Sequence, residues 1–333
     1  MENTAPRPDT INNVRFSVDA AFAMLAGMQL DVFTPLTHGH MTVEQIANAI
    51  AIPPTRLRLL LYSLVAAGLL TEQDGRFSNT EESNHFLVKG LSSYLGGMHT
   101  SLSRNWVWNL KTAESLRTGV PQAKVDFSNS PQQEIEKFLR TMNARTVAAA
   151  HSLSEKYDFS ATRTLADVGC GGAGLALAMA KANPQMQVTA VDLPSVTPIA
   201  QKIVEEEKAM DRVEVIAADV LGGPLPGSYD VVISRALFQV FSPEDVRLAV
   251  KNVGAAVNPG GTIYIIGQIL DNSRTSPPEA VGFNLIFINV YDAGEAYTEQ
   301  EHRDWLTDAG FVDIERADFF LADGLGIITA RKR

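Results

Sequence analysis

The sequence has one cysteine, few basic residues and no long hydrophobic segment. These features argue, in turn, against a disulfide, a nucleic-acid partner and a membrane span. A single thiol, Cys170, cannot form an internal disulfide, which fits a reducing compartment. Lys and Arg number 28 against 38 Asp and Glu, a net charge of −10, whereas nucleic-acid binding needs a basic face. The apolar run 20–30 is too short to span a bilayer, and the polar start of the chain lacks a signal-peptide pattern. We therefore expect a cytoplasmic protein with no nucleic-acid or membrane partner.

The sequence also has few of the features that a metal site or a catalytic thiol would need. Histidine, cysteine and acidic residues do not recur at metal-ligand spacing, so we predict no metal site. Cys170 lies inside a glycine-rich turn without a histidine partner, which indicates a small turn residue and not a nucleophile.

With 333 residues, of which 45% are hydrophobic, the chain is long enough for two domains. Residues 1–160 are predicted to be mainly helical, whereas in residues 161–333 strands alternate with helices. This alternation predicts an α/β, doubly wound, Rossmann-like domain with a largely parallel sheet and a ligand at the carboxyl ends of its strands. The predicted strands are 164–168, 187–191, 213–217, 229–234, 261–268 and 324–330, and the predicted helices include 174–182, 196–209, 243–257 and 298–309.

The first domain contains a pattern that resembles a winged helix. Helix starts are indicated at Thr42 and Thr55, and the turn 72–75 precedes a wing-like segment at Arg76. One interpretation is a DNA-binding helix-turn-helix. The second helix carries few basic groups and the chain is acidic, so we favour a dimerisation module that also covers the substrate.

The second domain is organised around the stretch 165–174, a short apolar run that ends in an acid and glycines. Gly169 and Gly171 allow a sharp turn from strand to helix and a close approach by a ligand. Asp192 ends the next predicted strand, where its carboxylate can accept both hydroxyls of a ribose. Asp219 ends the third and is placed for an adenine amino group. This order of groups predicts a nucleoside pocket.

Two nucleoside cofactors match this pattern. Gly169-x-Gly171-x-x-Gly174 also fits the dinucleotide fingerprint of nicotinamide enzymes. Asp167, two residues before the first glycine, can help to hold a cationic amino acid group, and no basic residues are evident that would clamp a pyrophosphate. These features favour S-adenosylmethionine (SAM), with S-adenosylhomocysteine as its product.

Nearly the whole chain resembles the two-domain small-molecule O-methyltransferases, the class that includes caffeate, hydroxyindole and bacterial polyketide methyltransferases. The resemblance implies a SAM-dependent transferase that forms a homodimer through its N-terminal domain. The motifs that carry it are the winged-helix stretch, 167–171, 191–194, Asp219, 229–230, 258–261 and 309–311. The cofactor contacts that it implies, together with those expected from the pattern itself, are Asp167, Gly169, Gly171, Asp192, Leu193, Asp219, Val220 and Ser234.

The sequence departs from this family at the catalytic base. Members usually carry a histidine in a Leu-His-Asp-Trp pattern after the fourth strand, oriented by two acidic residues. We assign Phe238 to the histidine position, Gly267 to the first acid and Ala296 to the second. A general base is needed only where the acceptor must lose a proton. A thioether has a lone pair and no such proton, so transfer to sulfur can proceed by alignment alone.

The preferred interpretation is therefore S-methylation of a carboxylate thioether such as 4-methylthio-2-hydroxybutyrate, as in the methylthiohydroxybutyrate S-methyltransferases of dimethylsulfoniopropionate synthesis. One alternative is an O-methyltransferase that acts by proximity on a phenolic or polyketide hydroxyl. Another is a SAM-binding regulator with a winged helix. The candidate acceptor residues are mainly aromatic, and a ring face can stabilise a sulfonium; they are Trp106, Trp108, Met142, Arg145, Phe238, Gln239, Phe287 and Tyr291.

Overall fold

The computed structural model describes residues 6–91, 93–124, 130–318 and 325–333. The chain divides into two compact units, Met1–Val107 and Trp108–Arg333. The helix Gln132–Lys156 therefore belongs with the strand-rich unit, although the division at residue 160 placed it in the first domain. That division, as a separation of dimerisation from catalysis, stays a prediction.

In the first unit, helices and a small antiparallel sheet share one hydrophobic core, in which Phe33, Ile46, Leu61 and Phe77 are fully buried. The second helix starts at a capping box, since the Thr42 hydroxyl accepts the N–H of Gln45 and the Gln45 side chain accepts the N–H of Thr42. The helix-turn-helix and the hairpin after it agree with the predicted winged helix. The elements are α1 (Asp9–Gln29), β1 (Met41–Thr42), α2 (Val43–Ala49), α3 (Pro54–Ala66), β2 (Leu70–Gln73), β3 (Arg76–Asn79), α4 (Glu81–Phe86) and α5 (His99–Asn109).

Within the described residues, no single helix is long and apolar enough to cross a membrane. The pair α2 and α3 meets such a criterion only when joined across a 106° bend, and by length and composition alone. In this structure the apolar residues Ile46, Leu57 and Leu64 of these helices belong to the core of the first unit.

The second unit is built on a seven-stranded sheet in the order β11-β12-β8-β7-β4-β5-β6. The strands from β8 to β6 in this order run parallel, whereas β12 runs antiparallel to β8 and to β11. The elements are α6 (Thr112–Thr118), α7 (Gln132–Lys156), β4 (Thr164–Val168), α8 (Gly174–Ala182), β5 (Gln187–Asp192), α9 (Thr197–Glu206), β6 (Val213–Ala217), β7 (Tyr229–Arg235), α10 (Pro243–Gly254), β8 (Val257–Gly267), β9 (Ile269–Leu270), α11 (Pro278–Val290), β10 (Tyr297–Thr298), α12 (Glu299–Asp308), β11 (Phe311–Asp318) and β12 (Gly326–Lys332).

Alternate residues of the parallel strands enter two cores. On β7, Val231 and Ile233 join a cluster with residues of α7, α8 and α9, whereas Val232 joins a cluster with residues of α10 and α12. The sheet therefore carries helices on both faces, as the doubly wound prediction requires. The chain continues from β4 to β5 on one side and places β7 on the other, so the strand order reverses at β4. In such sheets the ligand crevice lies at the carboxyl ends of the strands at this point.

The predicted strands and helices agree with the structure to within a few residues, although β8 begins at Val257, four residues before the predicted start. Among the strands of the second unit, β9, β10 and β11 were not predicted. β11 pairs with β12 at the edge of the sheet, an antiparallel addition that strand-helix alternation does not reveal. The predicted start of the last strand, Gly324, lies outside the described residues.

Asp230, at the start of β7, accepts hydrogen bonds from the amino ends of β4 and β8. Its Oδ2 accepts the N–H groups of Arg163 and Thr164 at 3.0 and 3.1 Å, and its Oδ1 accepts Asn258 Nδ2 at 3.0 Å. Partial burial acts to raise the pKa of Asp230, but these hydrogen bonds outweigh it and hold the pKa below its ordinary value. The ionised carboxylate therefore stabilises the fold.

We predict that Asp230→Asn lowers the free energy of unfolding by about 1–3 kcal/mol at pH 7, because the amide removes the charge that these donors stabilise and leaves its nitrogen facing either the backbone donors or Asn258 Nδ2. A depressed pKa contributes stability that is present above the unfolded value of 3.8 and is lost as the pH falls through the lower folded value. Urea unfolding should give a constant difference between the two proteins from pH 8 to pH 5. A difference that disappears over that range would contradict this account; the exposed Asp211→Asn is the control.

Candidate cofactor and acceptor site

The turn after β4 has a left-handed backbone at its glycines. Gly169 has φ of 78° and Gly171 has φ of 55°, values that favour glycine. The N–H groups of Gly169 and Cys170 both donate to the carbonyl of Val191, at 2.9 and 3.0 Å. The turn is thereby fastened to the end of the neighbouring strand β5. A Cβ at Gly169 would lie 3.2 Å from Leu237, so both conformation and space disfavour a side chain there.

Helix α7 closes the other side of this turn through two residues that the sequence analysis missed. Asn143 Nδ2 donates to the carbonyl of Gly172 at 3.0 Å. A Cβ at Gly172 would lie 2.5 Å from Asn143 Oδ1, and one at Gly174 would lie 2.3 Å from Thr146 Oγ1. Asn143 Oδ1 is buried and has no hydrogen-bond partner in the described structure. A bound molecule with a donor group could satisfy it.

Asp192, at the end of β5, holds the turn with both carboxylate oxygens. Its Oδ2 accepts the N–H of Gly171 and its Oδ1 accepts the N–H of Leu193, each at 2.8 Å. Burial raises the pKa of Asp192 above its ordinary value, although these two hydrogen bonds act to lower it. Each oxygen keeps a lone pair, so a ribose diol could be accepted here.

Asp167, near the end of β4, is almost completely buried, at 2% exposure. Its Oδ2 accepts the N–H of Ala176 at 3.1 Å. Burial raises its pKa to about 7, and the negative charge of Asp192 adds to this rise, whereas Ala176 and Arg235 lower it. A cationic ligand would stabilise the ionised form, because it would supply the charge partner that burial makes necessary.

The remaining predicted cofactor residues lie on the neighbouring strands or just after them. Ser234 on β7 is paired in parallel register with Val168, and its buried Oγ has no hydrogen-bond partner in the described structure. Asp219 Oδ1 accepts the N–H of Leu221 at 2.9 Å, and Asn252 Nδ2 donates to the carbonyl of Val220 at 2.7 Å. The carboxylates of Asp167 and Asp192 and the unpartnered Ser234 Oγ lie at the carboxyl ends of adjacent strands, and Asn143 Oδ1 is on α7. Together these groups fit a nucleoside that also carries an ammonium group.

The acceptor positions require a correction. Phe238 is 2% exposed and packs into the core with residues of α10, so its side chain is a poor candidate to contact an acceptor, whereas its assignment to the histidine position stays a prediction. The next residue, Gln239, instead faces the first acid position, since a Cβ at Gly267 would lie 2.6 Å from Gln239 Oε1. Gln239 Oε1 also accepts the backbone N–H of Gln268 at 2.9 Å. In this structure Gln239, and not Phe238, is therefore the residue of this turn that lies beside Gly267.

The second acid position, Ala296, is fully buried beside β9. Asn284 Oδ1 accepts its N–H at 2.8 Å, and Ala296 shares a hydrophobic cluster with Phe287. Phe287 also stacks at a tilt on Tyr291, with ring centroids 5.9 Å apart. The structure thus brings together two of the predicted acceptor aromatics at the C-terminal end of α11.

The other predicted acceptor residues lie on different elements. Trp106 belongs to the first unit, where its ring meets Phe22 edge to face at 5.2 Å. Trp108 opens the second unit, and Met142 and Arg145 are half-buried on α7. A role for these four in acceptor binding stays a prediction.

Comparison with known proteins shows two matches to family models. Residues 117–312 match the O-methyltransferase domain and residues 16–89 match the O-methyltransferase dimerisation domain. The 3-hydroxy-5-methyl-1-naphthoate 3-O-methyltransferase of Streptomyces sahachiroi is 27% identical, over 93% of this chain and 91% of that protein. The tetracenomycin polyketide synthesis 8-O-methyl transferase TcmO of Streptomyces glaucescens is 27% identical, over 96% of each. Human N-acetylserotonin methyltransferase, solved in complex with SAM, superposes with a TM-score of 0.77 at 20% identity and covers 100% of this chain and 99% of its own.

Asp167 generates a pH-dependent prediction for the ligand-free protein. A carboxyl whose folded pKa is raised to about 7 makes the fold less stable as the pH rises from 3.8 through 7. Asp167→Asn keeps an oxygen for the N–H of Ala176 and removes the buried charge. Its stability relative to the native protein should therefore grow by about 2–3 kcal/mol from pH 5 to pH 8.

The same substitution should weaken S-adenosylhomocysteine binding by about tenfold or more at pH 8, because a hydrogen bond to an ammonium group would lose its charge. Urea unfolding and isothermal titration calorimetry measure the two effects, with the exposed Asp211→Asn as control. Equal stability differences at pH 5 and pH 8 would contradict the raised pKa. Unchanged affinity would contradict the assignment of Asp167 to the amino acid end of the ligand.

Proposed function

The chain belongs to the O-methyltransferase family, and we propose that it transfers the SAM methyl group to a phenolic or polyketide hydroxyl without a general base. SAM dependence accompanies the family. The acceptor and the absence of a base are the proposal, and they replace S-methylation as the favoured interpretation. The two Streptomyces relatives described above are named for transfer to an oxygen of an aromatic or polyketide molecule.

The observation that carries the proposal is the uncharged acceptor end of the site. A neutral carboxamide, Gln239, stands against Gly267, and Ala296 is buried nearby without a titratable group. An enzyme that must remove a proton usually holds a side chain with a suitable pKa within hydrogen-bond reach of the acceptor. None of the three positions provides one, so the proton must leave the acceptor by another path.

The cofactor supplies an electrophilic methyl group on a sulfonium, and the protein's part is to hold and orient it. We infer that Asp192 accepts the ribose hydroxyls, that Asp219 and Val220 border the adenine, and that Asp167 and Ser234 face the amino acid end. Gly169 and Gly171 allow the close approach. Catalysis then rests on alignment of acceptor oxygen, methyl carbon and sulfur, with water excluded.

We further infer that two copies associate through the first unit. The match to a dimerisation domain over residues 16–89 supports this. Large apolar side chains along α1 are exposed in the single chain, where burial against a second copy would be favourable; they are Ile11, Val14, Phe16, Val18 and Phe22.

Transfer to the sulfur of a thioether remains the second candidate, because the same uncharged positions would suit an acceptor that has no proton to lose. The two acceptors differ in their dependence on pH. A phenol must ionise, so its rate of methylation should rise with pH through the phenol's own pKa. A thioether does not titrate, so its rate should show no ionisation of the acceptor.

The test is to incubate the purified protein with SAM and, separately, 4-nitrophenol, 7-hydroxycoumarin, a hydroxynaphthoate and 4-methylthio-2-hydroxybutyrate, and to identify products by mass spectrometry. We expect the phenols to give aryl methyl ethers, and the hydroxynaphthoate to be methylated on its hydroxyl and not on its carboxylate. The rates should follow ionisation of the phenol. Gly169→Ala should abolish turnover, because its φ of 78° and the proximity of Leu237 disfavour a side chain. A sulfonium product with no methylated phenol would overturn the proposal in favour of the thioether.

A further inference from the structure

The carboxamide of Gln239 has only one possible orientation. Its Oε1 lies 2.9 Å from the backbone nitrogen of Gln268 and accepts that N–H. A backbone N–H can only donate, so an amide flipped by 180° would place two donors against each other. The hydrogen bond therefore directs Nε2, with its two N–H groups, away from Gln268.

The surrounding backbone holds Gln239 in this position. Gly267 leaves the space that Gln239 Oε1 fills, because a Cβ there would lie 2.6 Å away. Gly294 lies close to the backbone of this turn, because a Cβ there would overlap the carbonyl oxygen of Gln239. Phe238, the preceding residue, is anchored in the core. The side chain and backbone of Gln239 are thus both constrained.

The Nε2 group of Gln239 can donate two hydrogen bonds. The hydrogen bond of this side chain within the described residues is the one that Oε1 accepts, and the side chain is half-buried. Charged groups on the segments around it have other partners: Glu295 lies 3.6 Å from Arg274, and Asp292 pairs with Lys124. The positive charge of Arg235, at the end of β7, lowers the pKa of Asp167. Gln239 Nε2 is therefore a neutral donor, held in one orientation, that could bind an anionic acceptor oxygen.

We propose that Gln239 Nε2 donates a hydrogen bond to the acceptor oxygen and that the site selects phenols bound as phenolates. This inference rests on the proposed O-methylation. A hydrogen bond to the charged form of a group favours that form, so Gln239 acts on the acceptor's ionisation without taking its proton. The favoured substrates are phenols made acidic by a conjugated carbonyl or a comparable electron-withdrawing group.

The chemistry balances without a protein base. The phenol gives its proton to water before transfer. A lone pair of the phenolate oxygen then forms the bond to the methyl carbon, while the carbon–sulfur bond breaks and its electron pair stays on sulfur. One negative and one positive charge disappear together, so the products are a neutral ether and a neutral thioether and no proton moves in the step.

The test measures ionisation of a bound phenol directly. With S-adenosylhomocysteine present, absorbance titration gives the pKa of whichever phenol of the previous panel is methylated fastest, free and bound. We expect binding to the native protein to lower the phenol's pKa by about one to two units. Gln239→Glu keeps an oxygen for the N–H of Gln268 but replaces both donors with an acceptor. It should abolish this shift and lower kcat/KM at least tenfold.

Gln73→Glu, on an exposed strand of the first unit, is the matched control for added charge and should leave shift and rate unchanged. Gln239→Leu is the second variant, and an unchanged affinity for S-adenosylhomocysteine verifies that each protein is folded. Equal bound pKa values in native protein, Gln239→Glu and Gln239→Leu, with phenols still methylated, would overturn this inference and leave the proposed function intact. Failure of the native protein to methylate any phenol would instead overturn the proposed function.

Discussion

The turn between β4 and α8 is the constraint on which the site depends. One carbonyl, that of Val191, accepts two successive N–H groups of the turn, and the carboxylate of Asp192 accepts a third from Gly171. The glycines of the turn are left-handed, and a second acid, Asp167, is buried near the end of β4 close enough to Asp192 for the two charges to interact. Burial of two neighbouring carboxylates is unfavourable in the free protein, and a ligand with a positive charge relieves it.

The acceptor end follows the opposite rule. Where the cofactor end concentrates charge, the proposed acceptor end consists of a carboxamide, two residues without functional side chains and the aromatic rings of Phe287 and Tyr291. Such a site cannot take a proton, but it can hold an oxygen that has already lost one. On this proposal the fold supplies charge to one ligand and an uncharged hydrogen-bond donor to the other, and transfer depends on the alignment of the reacting groups.

The cofactor end was predictable because its parts are local in sequence. A buried strand, glycines and an acid at the end of the next strand follow one another within thirty residues, so their order alone predicts a pocket. Asn143 and Thr146 were missed because nothing in α7 indicates which glycines its polar face will meet. The sequence did not show that Phe238 enters the core while Gln239 lies beside Gly267, since the short helical turn at residues 238–240 decides which side chain is buried. β11 was missed because edge pairing with β12 is non-local.

The central claim is that an uncharged donor, and not a base, meets the acceptor oxygen. A crystal structure with S-adenosylhomocysteine and a phenol that the enzyme methylates, bound in its unmethylated form, tests it most directly. The account predicts the phenol oxygen about 3 Å from Gln239 Nε2, with Oε1 still on the N–H of Gln268. A phenol oxygen hydrogen-bonded instead to a histidine, aspartate or glutamate side chain, of this chain or of a second copy, would contradict it.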